Sequence, residues 1–240
     1  MRSDHLPFPM PERPHSLVQE WKNLTFMHWE VDPVKLAKYI PDGLEIDLFE
    51  GRAFIGTIPF IMANVRPRMT FPIPGVSTFP EINIRTYVRN GGRAGVLFLT
   101  LEAQSLITCS YATRAYGLPY RYSIANVRSQ DGKYRWNACR KDGSHEIIGE
   151  CTWDEQEEVA EKGTLEEFLF ERYCLYTIHR GNLCIAYTQH EPWKFGTGEV
   201  KLESNTLTDE FDLGIGNVLL PDLVHVSEGV YVKTWSTEVV

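Results

Sequence analysis

The sequence predicts one α+β domain built mainly of antiparallel strands, with three or four short helices around them. Three observations lead there. Segments of alternating apolar and polar residues recur along the chain, the pattern of strands. The dipeptides Asn90-Gly91, Asp131-Gly132 and Asp142-Gly143 each sit between two such segments, a strong short-range hairpin signal. No repeat, low-complexity tract or linker divides the 240 residues, so 1–14 reads as an extended arm and 15–240 as a single domain. An antiparallel sheet of that size closes into a barrel or folds into a sandwich.

The elements follow in order. Ser16 and Gln19 form a capping-box pattern that predicts a short helix through Trp21. Residues 24–31 read as a strand. Asp32-Pro33 opens a helix, with Asp as cap and Pro at the first position, and Pro41 and Gly43 end it. Strands are predicted at 44–49, 52–65, 81–88 and 95–103, the last two joined by the Asn90-Gly91 turn. The segment 95–103, GVLFLTLEA, is almost wholly apolar and reads as buried on both faces. A helix over 104–116 stops at Gly117, with Pro119 beyond it. Strands at 120–128, 133–141 and 145–153 meet at the two Asp-Gly turns. Thr164 and Glu167 cap a helix over TLEEFLFERYCLY, whose apolar stripe of Leu165, Phe168, Leu169 and Tyr176 contains Arg172. Strands at 183–190, 198–207 and 229–240 complete the chain.

Composition excludes several function classes. A formal net charge of −8 disfavours non-specific binding to nucleic acid or to anionic membranes. The basic run of Arg114, Arg121, Arg128, Lys133, Arg135, Arg140 and Lys141, followed by an acidic run from Glu150 to Glu171, reads as solvated faces rather than a partner patch. No apolar stretch is long enough to span a bilayer, and the N-terminal residues lack the apolar core of a signal peptide. Five cysteines without a CxxC pair suggest reduced thiols in a cytoplasmic protein. The seven histidines show no ligand spacing, so neither metal nor cofactor is expected. Gly214-Ile215-Gly216 lacks the third glycine and preceding strand of a dinucleotide loop and reads as a turn.

Five stretches carry a resemblance. KLAKYIPDGLEID (35–47), GRAFIGTIPF (51–60), FPEINIRTYVRNGG (79–92), YGLPY (116–120) and ERYCLYT (171–177) resemble the YqjF-like family of uncharacterised bacterial proteins, within the acetoacetate decarboxylase-like superfamily. The resemblance implies a cone-shaped, mainly antiparallel β-barrel with peripheral helices, an internal pocket and a homo-oligomeric state. Decarboxylases of this superfamily form a Schiff base on a lysine in a segment of the type YPKKLGYP, beside a second lysine that depresses its pKa. Matching the glycine and proline lays that segment on 111–119, and the two lysines fall on Arg114 and Ala115. Arginine cannot serve as the amine nucleophile. The pocket glutamates of the decarboxylases have no counterpart in 71–79, which contains no acid. The resemblance therefore implies the fold without the imine chemistry.

Candidate site residues come from pattern and from this resemblance. In EINIRTYV (81–88), Glu81, Asn83, Arg85 and Tyr87 share one face of a strand, and Ile82, Ile84, Thr86 and Val88 share the other. The polar row faces either solvent or a pocket, and the barrel-wall position implied by the resemblance favours the pocket, with Ile82 and Ile84 beneath helices. Arg114, near Tyr111, Tyr116 and Tyr120, would hold a carboxylate or merely favour a helix C-terminus. Arg172 is expected to pair with Glu81 or Glu102. His28 is a candidate proton-transfer group or a core histidine. His190 reads as a loop residue. Lys194, between Trp193 and Phe195, comes nearest to an apolar lysine site. Three functions remain open. One is an enzyme acting on a small organic acid, with Arg85 and Arg114 orienting the anion and Glu81 or His28 moving a proton. The others are a non-catalytic binder of a small anionic molecule and a structural protein with a vestigial pocket.

Overall fold

The computed structural model describes residues 2–153 and 158–240, so part of the acidic run from Glu150 to Glu171 lies outside the described residues. The chain runs β1 (Leu17–Val31), α1 (Pro33–Leu36), β2 (Glu45–Ile46), β3 (Ala53–Pro67), β4 (Phe79–Asn90), β5 (Arg93–Ala103), α2 (Leu106–Tyr116), β6 (Tyr120–Gln130), β7 (Lys133–Arg140) and β8 (Glu146–Trp153). It continues through β9 (Glu158–Val159), α3 (Leu165–Phe170), β10 (Cys174–His179), β11 (Asn182–Gln189), β12 (Lys194–Asn205), α4 (Thr206–Asp209), β13 (Leu223–Thr234) and β14 (Glu238–Val239).

The order β13-β1-β3-β4-β5 forms a wall that forks at both edges. β5 pairs β10 at Val96–Leu97 and β6 at Leu101–Ala103, and both pairings are parallel. β13 pairs β12 at Val226 and β11 at Thr234. Each fork closes a hydrogen-bonded ring, one through β10 and β11, the other through β6, β7, β8 and β12. The pairing is thus mixed, not wholly antiparallel as the sequence predicts. The reason lies in α2 and the α3 segment, which carry the chain back across the sheet so that the following strand enters in the direction of β5.

The wall is buried on both faces. Ile82 and Ile84 pack with Trp136 of β7 and Ile147 of β8, alongside Leu36 of α1 and Leu207 of α4, so a second layer of strands covers them together with short helices. The opposite face packs Phe26, Phe60, Phe79 and Trp193.

Three local expectations change. The helix at Ser16–Trp21 is strand, because β1 gains partners on both edges, Leu17 opposite Thr234 and opposite Pro67. The Ser16 hydroxyl accepts from the Ser236 amide instead of capping a helix. The helix from Thr164 is capped as expected, with Thr164 accepting from the Glu167 amide, but it ends at Phe170. Arg172 turns back to donate to the Phe168 carbonyl at 2.6 Å, and Leu175 has already joined β5. The predicted strand 44–49 shrinks to the two residues of β2. α2 ends as predicted at Gly117, where φ is +71° and a Cβ would lie 2.4 Å from the Ile178 carbonyl, so both backbone and space require glycine.

Candidate functional site

Phe79, Glu81, Asn83 and Arg85 of β4 line a cavity of about 410 Å³ inside the ring through β10 and β11. All seven strands of that ring contribute lining residues, and α2 covers one end with Ile107, Thr108, Tyr111, Ala112 and Tyr116. Its volume falls within the usual range for small-molecule sites. The lining is largely apolar, with Glu81, Asn83 and Arg85 in a row along one wall.

Glu81 is 2% exposed and accepts a hydrogen bond from the Tyr120 hydroxyl at 2.8 Å. Burial pushes its pKa up to about 8, and the bond from Tyr120 only partly counters this. Asn83 is buried, and its Oδ1 has no hydrogen-bond partner. Arg85 is 8% exposed and donates from Nη2 to the Leu169 carbonyl at 3.1 Å. Its guanidinium lies 5.8 Å from the Phe26 ring centre and 5.7 Å from that of Tyr87. Nε has no partner, and among the described residues no carboxylate forms an ion pair with Arg85. A buried, uncompensated cation is costly unless an anion joins it.

Arg172 also lines the cavity, but unlike Arg85 it has an acid partner, one it shares with Arg89. It pairs with Asp47 at 2.6 Å, which corrects the expected partners Glu81 and Glu102. Asp47 comes from the turn after β2, far away in sequence. Glu102 points to the other face of the wall, where Arg140 meets it at 2.8 Å.

Several sequence candidates lie elsewhere. Tyr87 and His28 are buried but are not among the residues that line the cavity. The Tyr87 hydroxyl lies 3.2 Å from the Leu169 carbonyl and shares a hydrogen bond with His28 Nε2 at 2.7 Å. Burial, with the nearby Arg85 and His225 charges, holds the His28 pKa well below the usual imidazole value. Arg114 is exposed and donates to Ser110 Oγ at 2.8 Å. At 100° per residue it lies about 20° round the helix from Ile107 and about 60° from Tyr111, at the exposed edge of the face that lines the cavity, and is not itself among the lining residues. Tyr111, Tyr116 and Tyr120 do line it. Lys194 is exposed, and no lysine lines the cavity among the described residues.

Sequence reasoning missed Trp21 and His190. Trp21 lines the cavity with Nε1 unpaired and stacks on Trp193 at 6.0 Å. Its placement was hidden by the helical reading of 16–21. His190 follows β11 but folds inward, 1% exposed, stacked on Tyr173 at 4.6 Å. Burial lowers its pKa to about 4. No local pattern marks it. Among the described residues no group of three or more His, Cys, Asp or Glu is placed to hold a metal, and no helix is long and apolar enough to cross a membrane. The five cysteines are free thiols.

Comparison with known proteins agrees with this architecture. The family model of DUF2071, described as an uncharacterised conserved protein, matches residues 18–231. The uncharacterised protein YqjF of Bacillus subtilis is 32% identical over 221 residues, covering 90% of this chain and 89% of its own. Acetoacetate decarboxylase from Legionella pneumophila superposes with a TM-score of 0.66 at 13% identity, over 99% of this chain and 93% of its own. The enduracididine biosynthesis enzyme MppR, complexed with the condensation product of pyruvate and imidazole 4-carboxaldehyde, gives 0.68 at 15% identity, over 95% and 90%. At these identities the structural likeness establishes an acetoacetate decarboxylase-like fold and nothing finer.

Proposed function

The chain belongs to the DUF2071 family, and from its fold and cavity we propose that it is a small-molecule enzyme acting on an organic acid without Schiff-base chemistry. On this reading the ring around the cavity is the cone-shaped barrel of the decarboxylases. Arg85 binds the carboxylate and Glu81 moves a proton at a neighbouring atom. The observation that supports it is the pairing, along one strand, of a buried cation lacking an anion with a buried carboxyl whose pKa of about 8 suits proton transfer near neutral pH. Tyr120 orients Glu81. Arg114, exposed and not among the lining residues, takes no part, and His28 supports the wall through Tyr87.

A second reading, a non-catalytic binder, draws on the lack of an activated nucleophile. No lysine lines the cavity among the described residues, and burial pushes the Cys174 thiol up to about 12. The two readings part on proton chemistry. With carbonyl acids in D2O, the enzyme reading expects exchange of the C–H next to the carbonyl. Its rate should climb with pH and level off near 8, and be lost in Glu81→Gln. Binding without exchange would leave the binder.

Carboxylates should stabilise the protein where their neutral amides do not. At 100 times its Kd a ligand adds about 2.7 kcal/mol, or roughly 5 to 10 °C in Tm for a chain of this size. Arg85→Met should abolish that response. Equal stabilisation by the amides would overturn the anion site. Acetoacetate followed by borohydride should leave the protein mass unchanged, and a lysine adduct would contradict the imine-free reading.

A further inference from the structure

A carboxylate at Arg85 would fill only a small part of the cavity. At about 30 Å³ per water-sized group, 410 Å³ has room for on the order of a dozen non-hydrogen atoms, far more than the smallest organic acids contain. What surrounds the remaining space is set by the sheet register. The polar row of β4 is one strand wide, and its neighbours on both sides are apolar. Phe60 of β3 stands opposite Glu81, Ile58 of β3 and Leu101 of β5 flank Asn83, and Phe98 of β5 stands opposite Arg85. All four line the cavity. The Trp21–Trp193 stack adds an aromatic side. A ligand rich in hydroxyls or charges would lose its water against these walls without gaining partners. A hydrocarbon body gains from the same burial.

The way out of the cavity is apolar too. Tyr120, which follows α2, bonds to Glu81, so the end that α2 covers lies toward the Glu81 end of β4, and Arg85 lies farther along the strand. At the covered end Ile73, Ile107 and Tyr111 line the cavity while being 61%, 63% and 56% exposed. Ile73 belongs to the segment that leads into β4, and Ile107 and Tyr111 belong to α2. Apolar side chains from two separate elements thus meet water where the cavity opens, and an apolar chain passing between them would cover them.

We infer that the ligand is an amphipathic carboxylic acid, with its carboxylate at Arg85 and an alkyl or arylalkyl body running past Glu81 to the opening between Ile73, Ile107 and Tyr111. The inference rests on the reading of Arg85 as an anion anchor and adds to it the class of molecule attached to the anion.

A chain-length series tests it: butanoate, hexanoate, octanoate and decanoate, with octanamide as the neutral control, each titrated into the wild-type protein by calorimetry below its micellar concentration. Full burial is worth about fourfold in affinity for each methylene, so octanoate should bind at least tenfold tighter than butanoate. The gain should level off near decanoate, which is about the size the cavity holds. Ile107→Asp, at an exposed position, should weaken octanoate at least fivefold and butanoate by a smaller factor, because only the longer chain reaches the opening. If that variant does not fold, the wild-type series decides. Arg66 also lines the cavity, next to the segment that carries Ile73. Loss of octanoate binding in Arg66→Met, with binding kept in Arg85→Met, would place the acid at the opening and overturn the proposed orientation. Affinity that is flat with chain length, or greatest for butanoate, overturns the amphipathic class while the anion site stands. Equal affinity of octanamide and octanoate overturns the anion site instead, and no binding of any acid overturns both.

Discussion

Glu81 and Glu102 are both buried glutamates, on opposite faces of the β4–β5 pair and one register step apart, Glu81 opposite Ala103 and Ile82 opposite Glu102. Their surroundings differ. Glu102 accepts from Thr100 at 2.8 Å, Ser123 at 2.6 Å and Arg140 at 2.8 Å. Arg140 in turn reaches Glu210 at 2.6 Å. Burial opposes the Arg140 charge, but the bonds to Glu210 and Glu102 outweigh it and raise its pKa. Glu81 has Tyr120 alone. The nearest contrast among the arginines is the same: Arg140 is matched by acids, Arg85 by none among the described residues. One face of the wall has completed its polar network internally and reads as structure. The other leaves Arg85 without an acid and Glu81 with a single hydrogen-bond partner beside a cavity, which costs stability and makes sense if a ligand compensates them.

The largest expected effect tests the completed side. Arg140→Met leaves Glu102 buried without its cation, a change that typically costs about 3 to 5 kcal/mol. Thermal unfolding should fall by roughly 10 to 15 °C, and adding Glu102→Gln should recover much of the loss. A shift under about 2 °C would show that this network is not structural and would dissolve the contrast.

The next effect concerns Glu81 and pH. In the folded protein its carboxyl keeps a proton to about pH 8, against 4.5 ordinarily. Between those values the folded state binds more protons than the unfolded one, so rising pH removes stability until about pH 8, beyond which the loss is complete. From pH 6 to 9 this amounts to about 3 kcal/mol. Wild-type denaturation across that range should show the decline, and Glu81→Gln should flatten it. Identical slopes would mean that Glu81 ionises normally and is no proton-transfer candidate.

The same substitution on the two faces sharpens the comparison further. Arg85→Met, unlike Arg140→Met, removes a buried cation that has no acid to abandon. Without ligand it should be neutral or stabilising by about 1 kcal/mol. Strong destabilisation would assign Arg85 a structural role instead.

Much of this contrast was legible before the structure. The alternation of 81–88 separates the two faces of β4, and the Asn90-Gly91 turn makes β5 its neighbour. Alternation cannot say what lies beyond each face, and here neither is solvent. The partners were illegible for another reason. Arg172 meets Asp47 across 125 positions, and nothing in either neighbourhood specifies the other. The parallel pairings of β5 are likewise set by where α2 and α3 return the chain, not by the strands' own residues. The capping boxes show how a local signal is read or overridden. Thr164 caps α3, whereas Ser16 carries the same signal and is strand-paired, because two neighbouring strands outweigh one cap.

Arg114 gives the smallest expected effect and the most direct check on transferring residues by alignment. The resemblance of 111–119 to the decarboxylase segment lays it on a reactive lysine, and a guanidinium there would turn a covalent site into an electrostatic one. Its surroundings favour another reading. Tyr111, Ala112 and Tyr116 line the cavity, whereas Arg114 is exposed and not among the lining residues, its side chain bonded to Ser110 one turn back. An exposed contact of that kind contributes a few tenths of a kcal/mol. Arg114→Ala should therefore melt within about 2 °C of wild type, with carboxylate stabilisation unchanged. Loss of ligand response in this variant, with the response retained in Arg85→Met, would reverse the assignment: the anion would then sit at the α2 end of the cavity, and the unpaired polar atoms of β4 would need another explanation.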